Sequence, residues 1–263
     1  MELFLAKDYT PKLDSLIKVR VGTGNWGRLA IIKIGSNQAS AKYVSLKTAY
    51  CDSMGIQVKV YEFDETPPKE EYLKIVNDPK NSSVIVQLPL PASCPNSYLD
   101  FIAPSKDVDF LSDLRREIFF AGDHSVLPPV VRAFELFLKQ ISPKKMTSAV
   151  VGEGYLVGKP IRSYLQNQGF EVTAFNETQD LSNYLFVQDV VVLATGSARF
   201  FSGKNFADEV NVVDFGTSRA PDGSLAGDLN LNSDIRHLGL VAPSPGSMGP
   251  LVIRYLVMNH LKM

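Results

Sequence analysis

Apolar positions along the chain fall into short runs bounded by turn residues, and these runs alternate with stretches of helical period. Residues 29–34 (LAIIKI) form a β-rich run that ends at Gly35-Ser36-Asn37. That turn predicts a helix from about residue 39 to 53, stopped by Gly55. Residues 58–63 (VKVYEF) alternate as a strand, 69–76 carry a helical pattern, and 84–88 (VIVQL) read as a buried strand closed by Pro89 and Pro91. Phe134, Phe137, Leu138 and Ile141 recur at helical spacing and predict a long helix, with Pro143-Lys144-Lys145 as a boundary. The second half repeats the scheme: strands at 149–151, 171–175, 190–193 and 210–214, a rigid loop of Val241, Pro243, Pro245, Gly246 and Gly249, and an apolar closing helix over 250–261. Strands alternating with helices in this way predict an α/β protein of βαβ units with a mainly parallel sheet.

Residues 147–165 (TSAVVGEGYLVGKPIRSYL) are the most informative stretch. A strand, the glycines Gly152, Gly154 and Gly158, and then a helix set backbone N–H groups at a helix N-terminus, where the macrodipole favours a phosphate. The third glycine comes one position later than in the dinucleotide fingerprint, and turns of this kind also occur without any ligand. Thr195-Gly196 and Phe215-Gly216 follow the carboxyl ends of their strands, where doubly wound sheets bind ligands.

Composition narrows the function classes. A chain of 263 residues with 45% hydrophobic and 21% charged residues builds one large or two ordinary domains rather than a disordered segment. A formal net charge of −1 gives no reason to expect nucleic acid or an anionic membrane as partner. Cys51 and Cys94 make no disulfide framework and no zinc spacing, and no ligand set for a metal stands out. The N-terminus lacks a basic, apolar leader and no run approaches the ~20 apolar residues of a membrane span, so the expectation is a soluble, cytoplasmic protein.

Candidate chemistry sits on few residues. Tyr43 and Lys47 are four apart on one predicted helix face, a spacing that a solvated surface pair satisfies equally. Gln87 interrupts an apolar strand; a buried amide needs partners, either for structure alone or to hold a charged neighbour. Asp107 and Asp109 fit an exposed acidic turn, and His124, His237 and His260 show no triad or metal spacing.

Taken in order, Gly35, Tyr43-x-x-x-Lys47, Val86-Gln87-Leu88-Pro89-Leu90-Pro91, Lys106-Asp107-Val108-Asp109 and Val157-Gly158-Lys159-Pro160 form one series. It continues with Ala194-Thr195-Gly196, Asp214-x-Gly216, Gly227-Asp228 and Pro243-x-Pro245-Gly246-x-x-Gly249-Pro250. From about residue 29 onward it resembles the bifunctional methylenetetrahydrofolate dehydrogenase/methenyltetrahydrofolate cyclohydrolase family. The resemblance implies two domains with a cleft between them. Residues 1–122 with 246–263 would form a folate-binding catalytic domain, and 123–245 a Rossmann-like NAD(P)-binding domain, joined by a helix at about 130–141. It implies oxidation of 5,10-methylenetetrahydrofolate with NAD(P)+ and hydrolysis of the methenyl product to 10-formyltetrahydrofolate. Lys47 would be the catalytic lysine, lowered in pKa by burial and held by Gln87, with Asp109 gripping the pterin. Tyr43 would stack on the aminobenzoyl ring, and Pro243, Pro245 and Gly246 would line the folate site. The cofactor would lie across Gly152, Glu153, Gly154 and Gly158 and against Thr195 and Gly196. The family is usually a homodimer. Retention of only one activity, a non-catalytic folate- or nucleotide-binding protein, and a shikimate-type dehydrogenase are the competing readings; the last leaves the Tyr43/Lys47 and 86–91 segments unexplained.

The chain departs from the family pattern in several places. Phe110 replaces a glycine after Asp109, Asp113, Arg115 and Arg116 bring charge where the family has an asparagine, and Pro128-Pro129-Val130-Val131 replaces Pro-Cys-Thr-Pro. The stretch from residue 7 to 20 is short and little like the family. Gly152-Glu153-Gly154 stands where the family has Gly-Arg-Ser. Family habit indicates NADP, whereas Glu153 and Glu177 favour NAD, because a carboxylate repels a 2′-phosphate and suits a ribose hydroxyl. Lys159 and Arg162 remain as compensating cations.

Overall fold

A computed structural model describes residues 1–176 and 180–263. In chain order its elements are β1 (Glu2–Leu3), α1 (Thr10–Val21), β2 (Arg28–Ile34), α2 (Gln38–Ser53), β3 (Val58–Phe63), α3 (Lys69–Asn77), β4 (Asn81–Gln87), α4 (Asp113–Phe120) and α5 (Pro129–Leu138). There follow β5 (Thr147–Val151), α6 (Gly158–Asn167), β6 (Glu171–Phe175), β7 (Val190–Leu193), β8 (Asn211–Asp214), β9 (Ser218–Arg219), β10 (Leu225–Ala226), β11 (Leu240–Ala242) and α7 (Met248–His260). Two compact units divide them: Lys12–Pro129 with Ile253–Met263, and Met1–Pro11 with Val130–Val252. Among the described residues no helix is long and apolar enough to cross a membrane.

The first unit is built on a three-stranded parallel sheet in the order β3-β2-β4. The central strand β2 is an apolar run because both its faces are covered, and Leu29, Ala30, Ile31 and Ile32 have no exposed surface. Strand β3 is an edge, and its alternating sequence leaves every residue at least partly exposed. Helix α2 starts where the Asn37 side chain accepts the Ser40 N–H. It ends at Gly55, whose φ of +74° is the left-handed turn that closes a helix without a Cβ penalty. Asp14 of α1 accepts the Tyr50 hydroxyl at 2.6 Å and the Arg254 guanidinium at 2.7 and 2.9 Å, and Asn259 donates to the carbonyls of Val108 and Leu127. The carboxyl half of α7 is thereby part of this unit.

The second unit is a six-stranded sheet in the order β1-β11-β8-β7-β5-β6, with every pairing parallel. Its core strands β7 and β8 are short valine runs, buried throughout except for Asn211 at the start of β8. Two strands of this sheet lie outside the sequence expectation, as do β9 and β10, which pair with each other in a separate antiparallel ribbon. β11 occupies part of the stretch read as a rigid loop, and β1, two residues long, pairs with it: Glu2 with Leu240 and Leu3 with Val241. The helix predicted at 130–141 is the shorter α5, in this unit.

Candidate active site

In the first unit, β4, α2 and the loop after residue 106 bring three polar side chains together. Gln87 ends β4 and Lys47 lies near the middle of α2; both are 8% exposed. The Lys47 Nζ donates to Gln87 Oε1 at 3.1 Å and lies 3.8 Å from Asp109 Oδ2. The Gln87 amide nitrogen donates to the Leu88 carbonyl at 2.8 Å, which fixes its oxygen toward the lysine. The polar break in an apolar strand is thus a satisfied amide facing a cation. Tyr43, one helical turn before Lys47, is exposed on α2.

Asp109 is half-buried, and removal from water pushes its carboxyl up to about 6, against the pull of Lys47. The loop that carries it is shaped by Asp107. That carboxylate is 2% exposed and accepts the N–H groups of Leu111 and Ser112 and the Ser112 hydroxyl. The two acids are therefore not an exposed acidic turn: one organises the loop and the other faces the lysine. Phe110, directly after Asp109, has φ +59°, a left-handed conformation that glycine adopts freely and phenylalanine at a cost of roughly 1–2 kcal/mol. Its buried ring packs edge-on against Phe119 and lies 4.3 Å beneath the Arg115 guanidinium.

In the second unit, the glycine turn joins β5 to α6. Gly152 has φ +94° and is pressed against the Ala194 carbonyl, and Gly158 is pressed against the Gly152 carbonyl, so neither position has room for a side chain. These two glycines serve strand–helix packing. Gly154 and Gly196, by contrast, meet nothing within 4 Å of where a Cβ would stand, and both are exposed. Open backbone after the carboxyl ends of β5 and β7, at the start of α6, fits a bound nucleotide. Glu153 is half-buried and its Oε1 lies 2.5 Å from Arg162 Nη1. Lys159 is exposed and makes no ion pair among the described residues. Glu177 lies outside the described residues. Pro243 is buried and borders an open depression with Met1, Leu3 and Leu231, whereas Pro245 and Gly246 are exposed. Two residues without a role in the sequence reading, Asp214 and Asp228, are buried beneath the Thr195–Gly196 turn. The one available signal was the glycine close to each acid, Gly216 and Gly227.

These features define a class: an α/β enzyme with a nucleotide-binding parallel sheet and a separate lysine–amide–acid site. Two family models cover most of the chain. The catalytic domain of tetrahydrofolate dehydrogenase/cyclohydrolase matches residues 5–109, and the NAD(P)-binding domain of the same family matches residues 132–263. The chain is 31% identical over 268 residues to the bifunctional protein FolD of Listeria innocua, covering 98% of this chain and 94% of that one. It is 33% identical over 244 residues to FolD of Aliarcobacter butzleri, covering 89% and 84%. The crystal structure of the bifunctional FolD dehydrogenase/cyclohydrolase from Campylobacter jejuni superposes with a TM-score of 0.90 at 28% identity, covering 100% of this chain and 98% of that one. The chain belongs to the tetrahydrofolate dehydrogenase/cyclohydrolase family.

Proposed function

We propose that the protein oxidises 5,10-methylenetetrahydrofolate to the methenyl compound with a nicotinamide dinucleotide and hydrolyses that product to 10-formyltetrahydrofolate. The observation that carries this reading is the Lys47 Nζ buried between Gln87 Oε1 at 3.1 Å and Asp109 Oδ2 at 3.8 Å. A folate-binding protein without catalysis has no use for an amine fixed in this way. The cofactor, when bound, supplies the hydride acceptor. The chain's own residues do the rest. Lys47 Nζ moves the proton as water adds to the methenyl carbon, and Gln87 keeps that nitrogen in place. Asp109 accepts hydrogen bonds from pterin N–H groups, and the exposed Tyr43 ring stacks on the aminobenzoyl group.

Gly152, Glu153, Gly154 and Gly158 with Thr195 and Gly196 form the cofactor site. NAD is the preferred cofactor in this reading. Glu153 presents a carboxylate where the family has a cation, and it also neutralises Arg162, the nearest guanidinium, at 2.5 Å. Lys159, exposed and in no ion pair among the described residues, is left for a 2′-phosphate. The protein works as a cytoplasmic homodimer, as is usual in its family, with Lys12–Pro129 and Ile253–Met263 as folate domain and Met1–Pro11 with Val130–Val252, rather than a boundary at residues 122 and 246, as cofactor domain. One spectrophotometric experiment tests the whole reading: formation of reduced cofactor and loss of methenyltetrahydrofolate, followed with NAD and NADP in parallel. Both reactions are expected, with a higher kcat/KM for NAD. Absence of both overturns the function, and a strong NADP preference overturns the cofactor assignment.

A further inference from the structure

We propose that Asp228 is the positioning residue of the cofactor loop, holding residues 195–197 in the shape that receives the nicotinamide nucleotide. This rests on the assignment of Thr195 and Gly196 to the cofactor made above.

Asp228 has no exposed surface, yet both of its oxygens are committed to one three-residue turn. Oδ2 accepts the Thr195 N–H at 2.6 Å and the Thr195 hydroxyl at 2.9 Å, and Oδ1 accepts the Ser197 N–H at 2.8 Å. The residue between them, Gly196, has φ +69° and open space in front of it. Gripped on either side, Gly196 cannot swing without breaking charge-assisted hydrogen bonds to a carboxylate that water does not reach. Preorganisation of this kind lowers the cost of binding, because the loop is ordered before the ligand arrives.

The support beneath Asp228 is equally specific. Its own N–H donates to Asp214 Oδ1 at 3.2 Å, and Asp214 also accepts the N–H groups of Gly216 at 2.8 Å and Leu229 at 2.9 Å. A side chain at Gly216 would collide with the Asp228 carboxylate, and one at Gly227 with that of Asp214. Two glycines thus make room for two acids. The partners of Asp228 on the turn are all donors, so an amide of the same size would turn an N–H₂ group toward an N–H.

The test compares the wild-type protein with Asp228→Asn. Calorimetry measures NAD and NADP affinity in the absence of folate, and hydrolysis of methenyltetrahydrofolate is followed in the absence of nucleotide. Asp228→Asn is expected to weaken nucleotide binding about tenfold or more, as loss of a charge-assisted contact does. The dehydrogenase KM for the cofactor should rise more than kcat falls, and hydrolysis at Lys47 should stay within about twofold of wild type. Unchanged nucleotide affinity overturns the proposal, and so does a hydrolysis rate that drops in step with affinity, which marks general damage to the fold. Amide exchange on the wild-type protein gives a second reading should the variant fail to fold. The Thr195 and Ser197 N–H groups are expected to be protected before any nucleotide is added; free exchange there sinks the idea. If the wild-type protein itself binds neither nucleotide, the cofactor assignment falls and this inference with it; equal binding by wild type and variant removes the inference alone.

Discussion

In the proposed reading the two units solve the same task, fixing a reactive molecule, by different means. In the three-stranded unit the work is done by side chains: a lysine, an amide and an acid converge from α2, β4 and the loop after residue 106. In the six-stranded unit it is done by backbone, with open glycines at 154 and 196 and buried carboxylates that hold N–H groups in place. A side-chain site fails when one functional group is lost. A backbone site fails when its supports are lost, and its ligand choice can be changed by one neighbouring charge. Substitutions in each unit should show this difference.

The largest effect is expected at Lys47. Lys47→Met keeps the length of the apolar stem and removes the nitrogen at its end, so hydrolysis of methenyltetrahydrofolate should fall by about 10²- to 10⁴-fold, the range for a lost acid–base group. Nucleotide affinity measured without folate should be unchanged, since that site is made of other residues. Hydrolysis at the wild-type rate would remove the lysine from the mechanism.

Next comes the pH dependence of stability created by Asp109. Its folded-state pKa is raised from 3.8 to about 6, so the folded protein keeps a proton that the unfolded chain has already released. Between those values the folded state binds more protons, and stability falls as pH rises through the window and is flat above it. The ceiling is about 3 kcal/mol. Chemical denaturation between pH 4 and 7 should show a shallower decline for Asp109→Asn than for wild type; identical slopes would contradict the assignment.

How far the sequence could show all this depends on where the physics is local. Lys47 and Gln87 were legible because a helical spacing and a polar break in an apolar strand are properties of a few adjacent residues. The strands β3, β6 and β7 were legible for the same reason. Strand β1 was not: two residues carry no pattern, and they are extended only because Leu240 and Val241 lie alongside. Asp107 and Asp228 were illegible as anchors because their partners are backbone N–H groups, which every residue but proline has. The departure at Phe110 was visible, but its consequence needed the backbone angle.

That angle supports a third prediction, in which two effects oppose each other. Phe110→Gly relieves a left-handed conformation worth roughly 1–2 kcal/mol. It also deletes a buried ring whose truncation costs about 3–5 kcal/mol, along with the stacked Arg115. The packing loss is larger, and a net destabilisation of roughly 2 kcal/mol is expected in equilibrium unfolding. A stabilised variant would show that strain dominates and that the glycine of the family is the better residue in this loop too.

The smallest expected effect concerns the ion pair beside the glycine turn. In the NAD reading Glu153 would act on a 2′-phosphate in two ways: repelling the phosphate directly, and occupying Arg162, with which it is paired. Both side chains are partly exposed, so solvent limits the combined effect to about 1–2 kcal/mol, near tenfold in relative kcat/KM. Glu153→Ser should raise the ratio of NADP to NAD efficiency by about that factor. Arg162→Ala alone should barely change the ratio, because the guanidinium is already paired. In the Glu153→Ser background the same alanine should cancel much of the gain, because there the arginine is free to meet the phosphate. A gain that survives the double substitution would assign the effect to repulsion alone, and no gain from Glu153→Ser would place cofactor choice elsewhere in the unit.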